Sequence, residues 1–323
     1  MKTRLLTSIG IVLVLALAFV LKVFVSNYFF DALILLIACF ACYEASKIFN
    51  KMGKFNDTII ATIFPAILML IMLLGIAFDS SIGLVYTLVI CVGAMVVFFG
   101  IAFLMPLIRN KTTRIEMRTR QMDKSMPIAK YSVIKALNTA VVFVYPAFLL
   151  LFMTLINHFE DMTTTFDKLA NFDGWISFFV LLFTFLIPIF SDTFAYIMGN
   201  IFGGKKLAPK VSPNKTISGA VGGLLWCVLL SVAIFYIFNS IPSMAVMLQD
   251  AGIVVWKIVI ISFIGSVISQ LGDLFESYLK RSANIKDSGT IFPGHGGMLD
   301  RFDSYVFIAP YIFIAFSIIF AIL

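Results

Sequence analysis

The chain has 323 residues, of which 61% are hydrophobic and 13% charged, with a formal net charge of +7. A soluble globular protein is about half apolar and about a quarter charged, so this composition excludes a soluble fold and indicates an integral membrane protein. At about 20 residues per crossing, the length has room for about eight to ten spanning helices. The charged residues fall in a few short segments, which excludes a large soluble domain.

Nine apolar stretches predict an all-α integral membrane protein, a polytopic bundle of about nine transmembrane helices with a polar site on the cytoplasmic side. In chain order they are residues 5–25, 29–48, 58–78, 82–108, 132–156, 175–199, 217–239, 253–275 and 305–323. The first resembles a signal peptide, but its apolar run is longer than a signal core and no clear cleavage site follows, so we interpret it as a retained anchor. We divide the chain into residues 1–131, with N-terminal helices and a basic cytoplasmic loop, and residues 132–323, the catalytic transmembrane region.

The loops on the two sides of the membrane differ in charge. The side of the N-terminus holds 21 of the 24 basic residues, and the other side holds only Lys22, Lys168 and Lys257. Since cytoplasmic loops are enriched in Lys and Arg, we expect a multi-pass protein of the cell membrane with its N-terminus and its active site facing the cytoplasm. Topology and attraction to anionic lipid headgroups explain the net charge, so we expect no nucleic-acid partner.

Residues 109–135 form the densest basic segment and contain almost no aromatic residues. Two interpretations stay open for it: a solvated loop at the lipid surface, or a collector for an anionic lipid substrate. On the opposite side, His158 lies in a polar loop with no ligand set near it in the sequence, so we assign it no role. Asp31 and Glu44 lie near predicted helix ends and receive the same ordinary interpretation.

The first polar stretch that suggests chemistry is residues 191–219. Pro188 loosens the helix just before it, and Asp192 and Tyr196 are four residues apart, so they share one helical face. Gly199, Gly203 and Gly204 follow, and then four lysines within eleven positions. Small backbone groups beside ammonium groups suit a phosphate-bearing ligand, although an ordinary basic loop has the same composition.

The second polar stretch runs from residue 272 to residue 304 and concentrates carboxylates at the membrane boundary. Asp273, Glu276 and Ser277 place three oxygen ligands on one helical stripe. Asp300 and Asp303 are three residues apart at the start of the last helix, after a tight turn at residues 293–297. Clustered carboxylates without cysteine suit Mg²⁺, which usually also binds substrate phosphates. The residues alone therefore predict a membrane enzyme acting on phosphate esters.

Two blocks of the sequence resemble the phosphatidate cytidylyltransferase (CDP-diacylglycerol synthase) family, over residues 191–304. The first block is Ser191-Asp192-Thr193, Ala195-Tyr196, Lys206-Leu207-Ala208-Pro209 and Ser212-Pro213-x-Lys215-Thr216. The second is Ser277-x-x-Lys280-Arg281, Lys286-Asp287-x-Gly289 and Pro293-Gly294-His295-Gly296-Gly297-x-x-Asp300-Arg301-x-Asp303. One departure is that Ile217 and Ser218 stand where the family commonly has an aromatic residue followed by Glu or Gln.

The resemblance implies an enzyme that joins phosphatidate to CTP, giving CDP-diacylglycerol and pyrophosphate with Mg²⁺, and it leaves a second cation and a homodimer open. Asp273 and Asp300 resemble the family's metal ligands. The other residues that it implies for catalysis are Lys280, Arg281, Lys286, Asp287, His295, Arg301 and Asp303. The residues that it implies for substrate binding are Asp192, Tyr196, Lys206, Ser212, Lys215, Thr216 and Ser277.

Two alternatives to this function remain. One is a related membrane transferase that uses CTP on another lipid, such as a polyprenol or an isoprenoid ether lipid. The other is a transporter or lipid-moving protein with Asp192 and Asp273 as ion sites. The transporter is disfavoured because it predicts charge near mid-membrane and paired repeats, whereas these acids cluster at one edge of the membrane.

Overall fold

The computed structural model describes residues 2–122, 125–162, 165, 166, 169, 172, 174–292, 294 and 296–321. Within these residues, eight helical spans are long and apolar enough to cross a membrane. This confirms the predicted all-α polytopic bundle. The first predicted stretch is also helical, but its described apolar part, Ile9–Phe24, is shorter than the other spans.

The elements follow the predicted order, with additions between the spans. The helices are α1 (Lys2–Phe24), α2 (Asn27–Lys51), α3 (Thr58–Ala77), α4 (Asp79–Ile108), α5 (Asn110–Thr119), α6 (Ile128–Val142), α7 (Phe152–Asn157), α8 (Trp175–Phe202), α9 (Ile217–Asn239), α10 (Pro242–Asp250), α11 (Val255–Ser282) and α12 (Leu299–Ala321). The strands β1 (Lys206–Ala208) and β2 (Ser212–Thr216) form an antiparallel hairpin between α8 and α9. The short helices α5 and α10 and this hairpin were not predicted.

The fifth span is kinked rather than a straight helix. Residues Phe143–Phe148 form a π-helical segment between α6 and α7, and Tyr145 within it has a non-helical backbone conformation. Pro146 lacks the N–H that an α-helical ladder needs, which explains why regular helix stops there. The apolar sequence pattern continues through the segment and therefore predicted one helix.

Two groups of helices pack side by side. The helices α8, α11 and α12 contact one another, and α9 contacts α8 and α11. Helix α2 joins this group to α1, α3 and the π-helical segment. The contact between α8 and α9 is close because glycine removes the side chain: a Cβ on Gly219 would lie 2.5 Å from the carbonyl oxygen of Ala195. Large apolar side chains stay exposed around the bundle, among them Ile59, Val96 and Leu225. Such a surface suits a lipid environment.

Polar residues gather at the two ends of the bundle. One end contains the last turns of α2, the hairpin, the last turns of α11 and the start of α12, and we call it the hairpin end. The opposite end contains the last turn of α1, the start of α2, the end of α7 and the start of α8. Contacts between α2 and α12 cross the predicted boundary between residues 131 and 132, and that division stays a prediction.

Candidate active site

The hairpin places a lysine at the start of a capped helix. Lys206 of β1 pairs with Thr216 of β2, and Gly203 and Gly204 supply the positive φ angles at which the chain leaves α8. The Thr216 hydroxyl accepts a hydrogen bond from the Gly219 amide at 3.1 Å, which caps α9. Lys215 directly precedes this cap, so its backbone position is fixed by both the strand and the helix.

A cavity of about 530 Å³ lies between α8, the hairpin, the start of α9 and α11. We call it the hairpin cavity. In it, the Lys215 ammonium forms an ion pair with the carboxylate of Asp273 on α11. Asp192 on α8 interacts electrostatically with both groups. The Gln270 amide donates to the Ala220 carbonyl at 3.1 Å and to Ser191 Oγ at 3.2 Å, which ties α11 to α8 and α9. One ammonium therefore faces two carboxylates in an accessible space.

A third carboxylate lies behind this pair, at the start of α12. The amide of Ser304 donates to Asp303 Oδ1 at 2.7 Å, and its hydroxyl donates to the Ser269 carbonyl at 3.1 Å. Asp303 interacts electrostatically with Asp192 and Asp273. A Cβ on Gly272 would lie 3.0 Å from the Asp303 carbonyl oxygen, so this glycine lets α11 and α12 approach. The three aspartates come from three different helices.

Asp300 is held by four donors. Its Oδ2 accepts hydrogen bonds from the Ser288 amide at 2.8 Å, the Ser288 hydroxyl at 2.9 Å and the Gly297 amide at 2.7 Å. Its Oδ1 accepts one from the Lys280 ammonium at 2.6 Å. The turn before it has positive φ angles at Gly294 and Gly296, as the glycine-rich sequence predicted. Asp300 thereby connects the turn, the loop at residue 288 and α11.

Lys280 and Arg281 attach the end of α11 to its surroundings. Lys280 also forms an ion pair with Glu276, which is fully buried one helical turn away. The Arg281 guanidinium donates to the carbonyl of Val211 at 3.3 Å and to that of Ile285 at 3.1 Å. Arg281 therefore bridges the hairpin and the loop that carries Ser288.

The comparison with protein families adds one decisive match. The model of the cytidylyltransferase family matches residues 2–319. The chain belongs to the cytidylyltransferase family. Three similar relatives are the phosphatidate cytidylyltransferases of Staphylococcus saprophyticus, at 47% identity, and of Staphylococcus haemolyticus and Staphylococcus aureus, each at 44%. Each alignment covers 130 residues, which is 40% of this chain and 46% of the relative, so the matched part spans about half the length of these curated relatives.

The remaining residues expected from the family resemblance lie in several places. Tyr196 and Lys206 line the hairpin cavity, whereas Ser212 in β2 does not belong to its lining. Ser277 is buried, with its hydroxyl 3.4 Å from Asp273 Oδ1. Lys286 and Asp287 line a separate cavity of about 480 Å³ with Lys47 and Lys51, and Arg301 is exposed. His295 lies outside the described residues. The roles assigned to these residues stay predictions.

Glu44 is a residue of this end that the sequence did not reveal. It lies two turns before the end of α2 and is only 2% exposed. Its Oε2 accepts hydrogen bonds from the Ser288 hydroxyl at 2.9 Å and from the Leu299 amide at 2.8 Å. Because Ser288 also binds Asp300, Glu44 holds the same loop from the other side. The only sequence signal was an acid within an apolar helix, and its partners lie 244 and 255 residues away.

Ser218, at the position of the departure from the family pattern, also has a contact. Its hydroxyl donates to the Gly203 carbonyl, which closes the base of the hairpin between the end of α8 and the start of α9. Ile217 is exposed beside it. This serine therefore stabilises the hairpin connection in this chain.

The cavity offers oxygen donors for a cation, but not a complete protein cage. Among the described residues, no three His, Cys, Asp or Glu side chains are arranged so that they hold an ion by themselves. Mg²⁺ is usually held by one or two carboxylates together with water and substrate phosphates, so a partial set is sufficient. The carboxylates of Asp192 and Asp273 fit that chemistry because both are hard oxygen ligands.

Proposed function

We propose that the protein transfers CMP from CTP to phosphatidate, giving CDP-diacylglycerol and pyrophosphate for phospholipid synthesis. The observation that carries the proposal is the hairpin cavity, where the Lys215 ammonium and the carboxylates of Asp192 and Asp273 meet beside Lys206. Membership of the cytidylyltransferase family and the names of the Staphylococcus relatives support this substrate pair. The cavity lies among membrane-spanning helices, where a lipid and a soluble nucleotide can meet.

The reaction needs charge neutralisation more than proton transfer. A phosphate oxygen of phosphatidate attacks the α-phosphorus of CTP and forms a new phosphorus–oxygen bond. The bond from the α-phosphorus to the oxygen that bridges to the β-phosphate breaks, and its electron pair leaves with pyrophosphate. A phosphate monoester is largely ionised near neutral pH, since its second pKa is about 6, so the attacking oxygen needs no general base.

The basic and acidic residues of the hairpin cavity have different roles in this reaction. Lys215 and Lys206 would bind phosphate oxygens, which lowers the repulsion between the two polyanionic substrates. A phosphate that binds the Lys215 ammonium competes with Asp273 for it and thereby frees an Asp273 oxygen. Asp192 would keep the ammonium in the cavity throughout, since it interacts with Lys215 as well.

We also propose that the enzyme depends on Mg²⁺ held by Asp273, with Asp192 as a further carboxylate donor in the same cavity. The bound ion would supply positive charge next to the α-phosphate and the departing pyrophosphate. Asp300, expected from the family resemblance to share the ion, has four donors on its two oxygens and would have to exchange the Lys280 contact to do so.

The proposed orientation places the hairpin end and the N-terminus in the cytoplasm of a cell-membrane protein. Support comes from the basic residues of the hairpin, α5 and the last turns of α2 and α11, which lie at this end of the bundle. Cytoplasmic loops carry such an excess of Lys and Arg. CTP, a cytoplasmic nucleotide, would reach the cavity directly.

A pyrophosphate-release assay tests the proposal. Purified protein in neutral detergent micelles receives CTP and Mg²⁺, with and without phosphatidate. We expect release only with all three, and we expect Asp273→Asn to lower turnover about 100-fold or more, the effect of removing one preorganised charge. Asp250→Asn is the matched control, because Asp250 is an exposed aspartate at the end of α10. Near-normal turnover by Asp273→Asn contradicts the proposed role of Asp273.

The same assay decides the lipid. Parallel reactions contain phosphatidate, a polyprenyl phosphate or a phosphorylated isoprenoid ether lipid, and labelled CTP shows which CDP-lipid accumulates. Accumulation of CDP-diacylglycerol alone supports the proposed substrate. Equal or faster labelling of another lipid would reassign the substrate while leaving cytidylyl transfer intact.

A further inference from the structure

The basic helix α5 is fixed at a boundary between two membrane spans. It follows α4 directly and precedes α6, and its Thr113 hydroxyl donates to the Pro106 carbonyl at 2.8 Å. Thr113 and Met117 are buried, which defines the inner face of the helix. An amphipathic basic helix in this position lies in the plane of the membrane interface.

The negative charge of Glu116, the acidic residue of α5, is neutralised by two basic residues. Glu116 forms ion pairs with Arg120 and with Lys135 of α6, each at 3.0 Å. Arg120 also donates to Asn50 Oδ1 at 3.3 Å, and its guanidinium lies 4.1 Å from the ring centre of Phe55. These contacts attach α5 to the end of α2. The helix is therefore anchored at the hairpin end of the bundle.

Arg114 and Arg118 of α5 face a second space. A cavity of about 660 Å³, which we call the α5 cavity, is lined by Arg114, Met117, Arg118, Met122, Ser125, Met126, Pro127 and Ile128. Both arginines are exposed, and neither forms a salt bridge to any residue in the described part of the chain. Arg114 Nε donates to Asn110 Oδ1 at 3.0 Å, an uncharged partner. The two guanidinium groups thus keep their positive charge toward the cavity.

The lining of the α5 cavity combines two kinds of chemistry. Two arginines four residues apart on a helix can bind one phosphate group through charge-assisted hydrogen bonds. Met117, Met122 and Met126 provide flexible, polarisable apolar surface, which adapts to irregular hydrocarbon. The hairpin cavity has a different lining, and the two cavities share no lining residue. A ligand that fits both parts of the α5 cavity is anionic at one end and apolar at the other.

We propose that the α5 cavity binds the phosphate headgroup of an anionic phospholipid from the surrounding leaflet. Arg114 and Arg118 bind the phosphate, and the three methionines contact the glycerol and the first acyl carbons. The site is separate from the hairpin cavity, and the lipid bound there is not required to be the substrate. Binding at this site does not depend on the proposed cytidylyl transfer.

Lipid binding by the full chain tests the proposal without CTP or turnover. The purified protein, in neutral detergent, is titrated with dioleoyl phosphatidylglycerol or dioleoyl phosphatidylcholine, and native mass spectrometry counts the lipids retained. The test variant is Arg114→Gln/Arg118→Gln. The matched control is Arg109→Gln/Lys111→Gln, which removes the same charge beside the same helix but outside the cavity lining. Thermal unfolding of each variant shows that it is folded.

The expected result is one tightly retained phosphatidylglycerol whose apparent Kd rises about tenfold in Arg114→Gln/Arg118→Gln and changes less than about twofold in the control. Equal weakening in both variants would mean diffuse attraction to the basic surface and would overturn the site. Equal retention of phosphatidylcholine would overturn the anionic headgroup. Displacement of the lipid by millimolar inorganic phosphate would reassign the cavity to a free anion and overturn the lipid proposal.

Discussion

The two polar ends of the bundle use similar residues in different ways. At the opposite end, the Lys22 ammonium donates to Asn27 Oδ1, to the Asn157 carbonyl and to Ser177 Oγ at 2.9–3.2 Å. His158 bonds Asp31 through Nε2 at 2.7 Å and Asp161 through Nδ1 at 2.5 Å. A cavity of about 740 Å³ lies beside this network, so it is the larger of the spaces at the two ends.

The hairpin end keeps charge available. Lys206 is exposed at the edge of the hairpin cavity, and the Lys215 ammonium, which forms an ion pair with Asp273, also interacts with Asp192. At the opposite end, Lys22 and His158 each have several fixed partners within the protein. The comparison shows that the charged groups of a structural polar cluster already have their partners within the protein, whereas those of a candidate active site stay available to a ligand. The volume of the cavity does not distinguish the two.

The largest effect is expected at Lys280, an ammonium of the hairpin end that already has two carboxylate partners. Replacing Lys280 by Met leaves the fully buried Glu276 without its cation, and breaking a buried pair on one side costs about 4 kcal/mol. Thermal unfolding in detergent measures the loss. Lys257→Met is the control on the same helix, since its ammonium donates only to the Gly252 carbonyl among the described residues, at 2.8 Å.

A second variant sharpens this prediction. Lys280→Met/Glu276→Leu removes both charges, so we expect most of the lost stability to return, because apolar residues can replace a buried ion pair. Asp300 keeps its three contacts with Ser288 and Gly297 in both variants. Equal destabilisation in the single and double variants would show that Lys280 does not stabilise the protein through its ion pair with Glu276.

A smaller effect, dependent on pH, is expected at the opposite end. Burial lowers the pKa of His158, but hydrogen bonds and charge from Asp161 and Asp31 outweigh burial and raise it from 6.5 to about 9. Its stabilising contribution is therefore fully present below about pH 6.5 and is lost as pH rises through about 9, up to about 3 kcal/mol. The groups that face or surround His158 are Asp31, Asp161, Lys22, Glu160 and the Tyr28 ring.

Thermal unfolding between pH 6 and pH 10 measures this contribution. The stability of the wild-type protein relative to His158→Gln should fall over the upper part of the range, because the other titrating groups of this network, Lys22 among them, are present in both proteins. Burial also raises the pKa of Glu160, and the Asp161 pKa is lowered because its hydrogen bond to His158 outweighs burial. Both carboxylates remain in His158→Gln, so the comparison of the two proteins reports on the imidazole. The same alkaline loss in His158→Gln would contradict the assignment.

The smallest of these effects concerns Glu44. Glu44→Gln keeps the size of the side chain but replaces charged by neutral hydrogen bonds to Ser288 and Leu299, so we expect a loss of about 2 kcal/mol and about tenfold lower turnover. Ser288→Ala breaks the same connection. In a double-mutant cycle the two losses should not add, whereas additive losses would show that Glu44 acts independently of the Ser288 loop.

The sequence predicted the helical spans and the position of the acids well. Hydropathy sets both, because about 20 apolar residues are needed to cross a bilayer and charged residues collect at its edges. The family blocks then indicated Asp273 and Lys215, which the structure brings into an ion pair. The turn before Asp300 was predictable because its glycines occupy positive φ angles.

The contacts that the sequence did not predict join distant segments. Glu44 and Asp31 looked like ordinary acids near helix ends, because their partners are 126 or more residues away in the chain. His158 looked isolated, because its partner Asp31 is 127 residues away and the nearby Asp161 did not by itself indicate a ligand set. The kink at Tyr145 was hidden since apolar character continues through it. The donors on Asp300 come from a loop, a turn and α11, and no local pattern shows that they converge.

The contact of Glu44 also has a consequence for biosynthesis. Glu44 is translated 244 residues before Ser288, and a ribosome that adds about 5–20 residues per second needs on the order of tens of seconds for that interval. During that time α2 carries an acid without its final partners. Its place two turns from the end of α2 leaves the acid close to one end of that helix while the chain grows. Helix α12, which emerges after α11, supplies the Leu299 amide and completes the pairing.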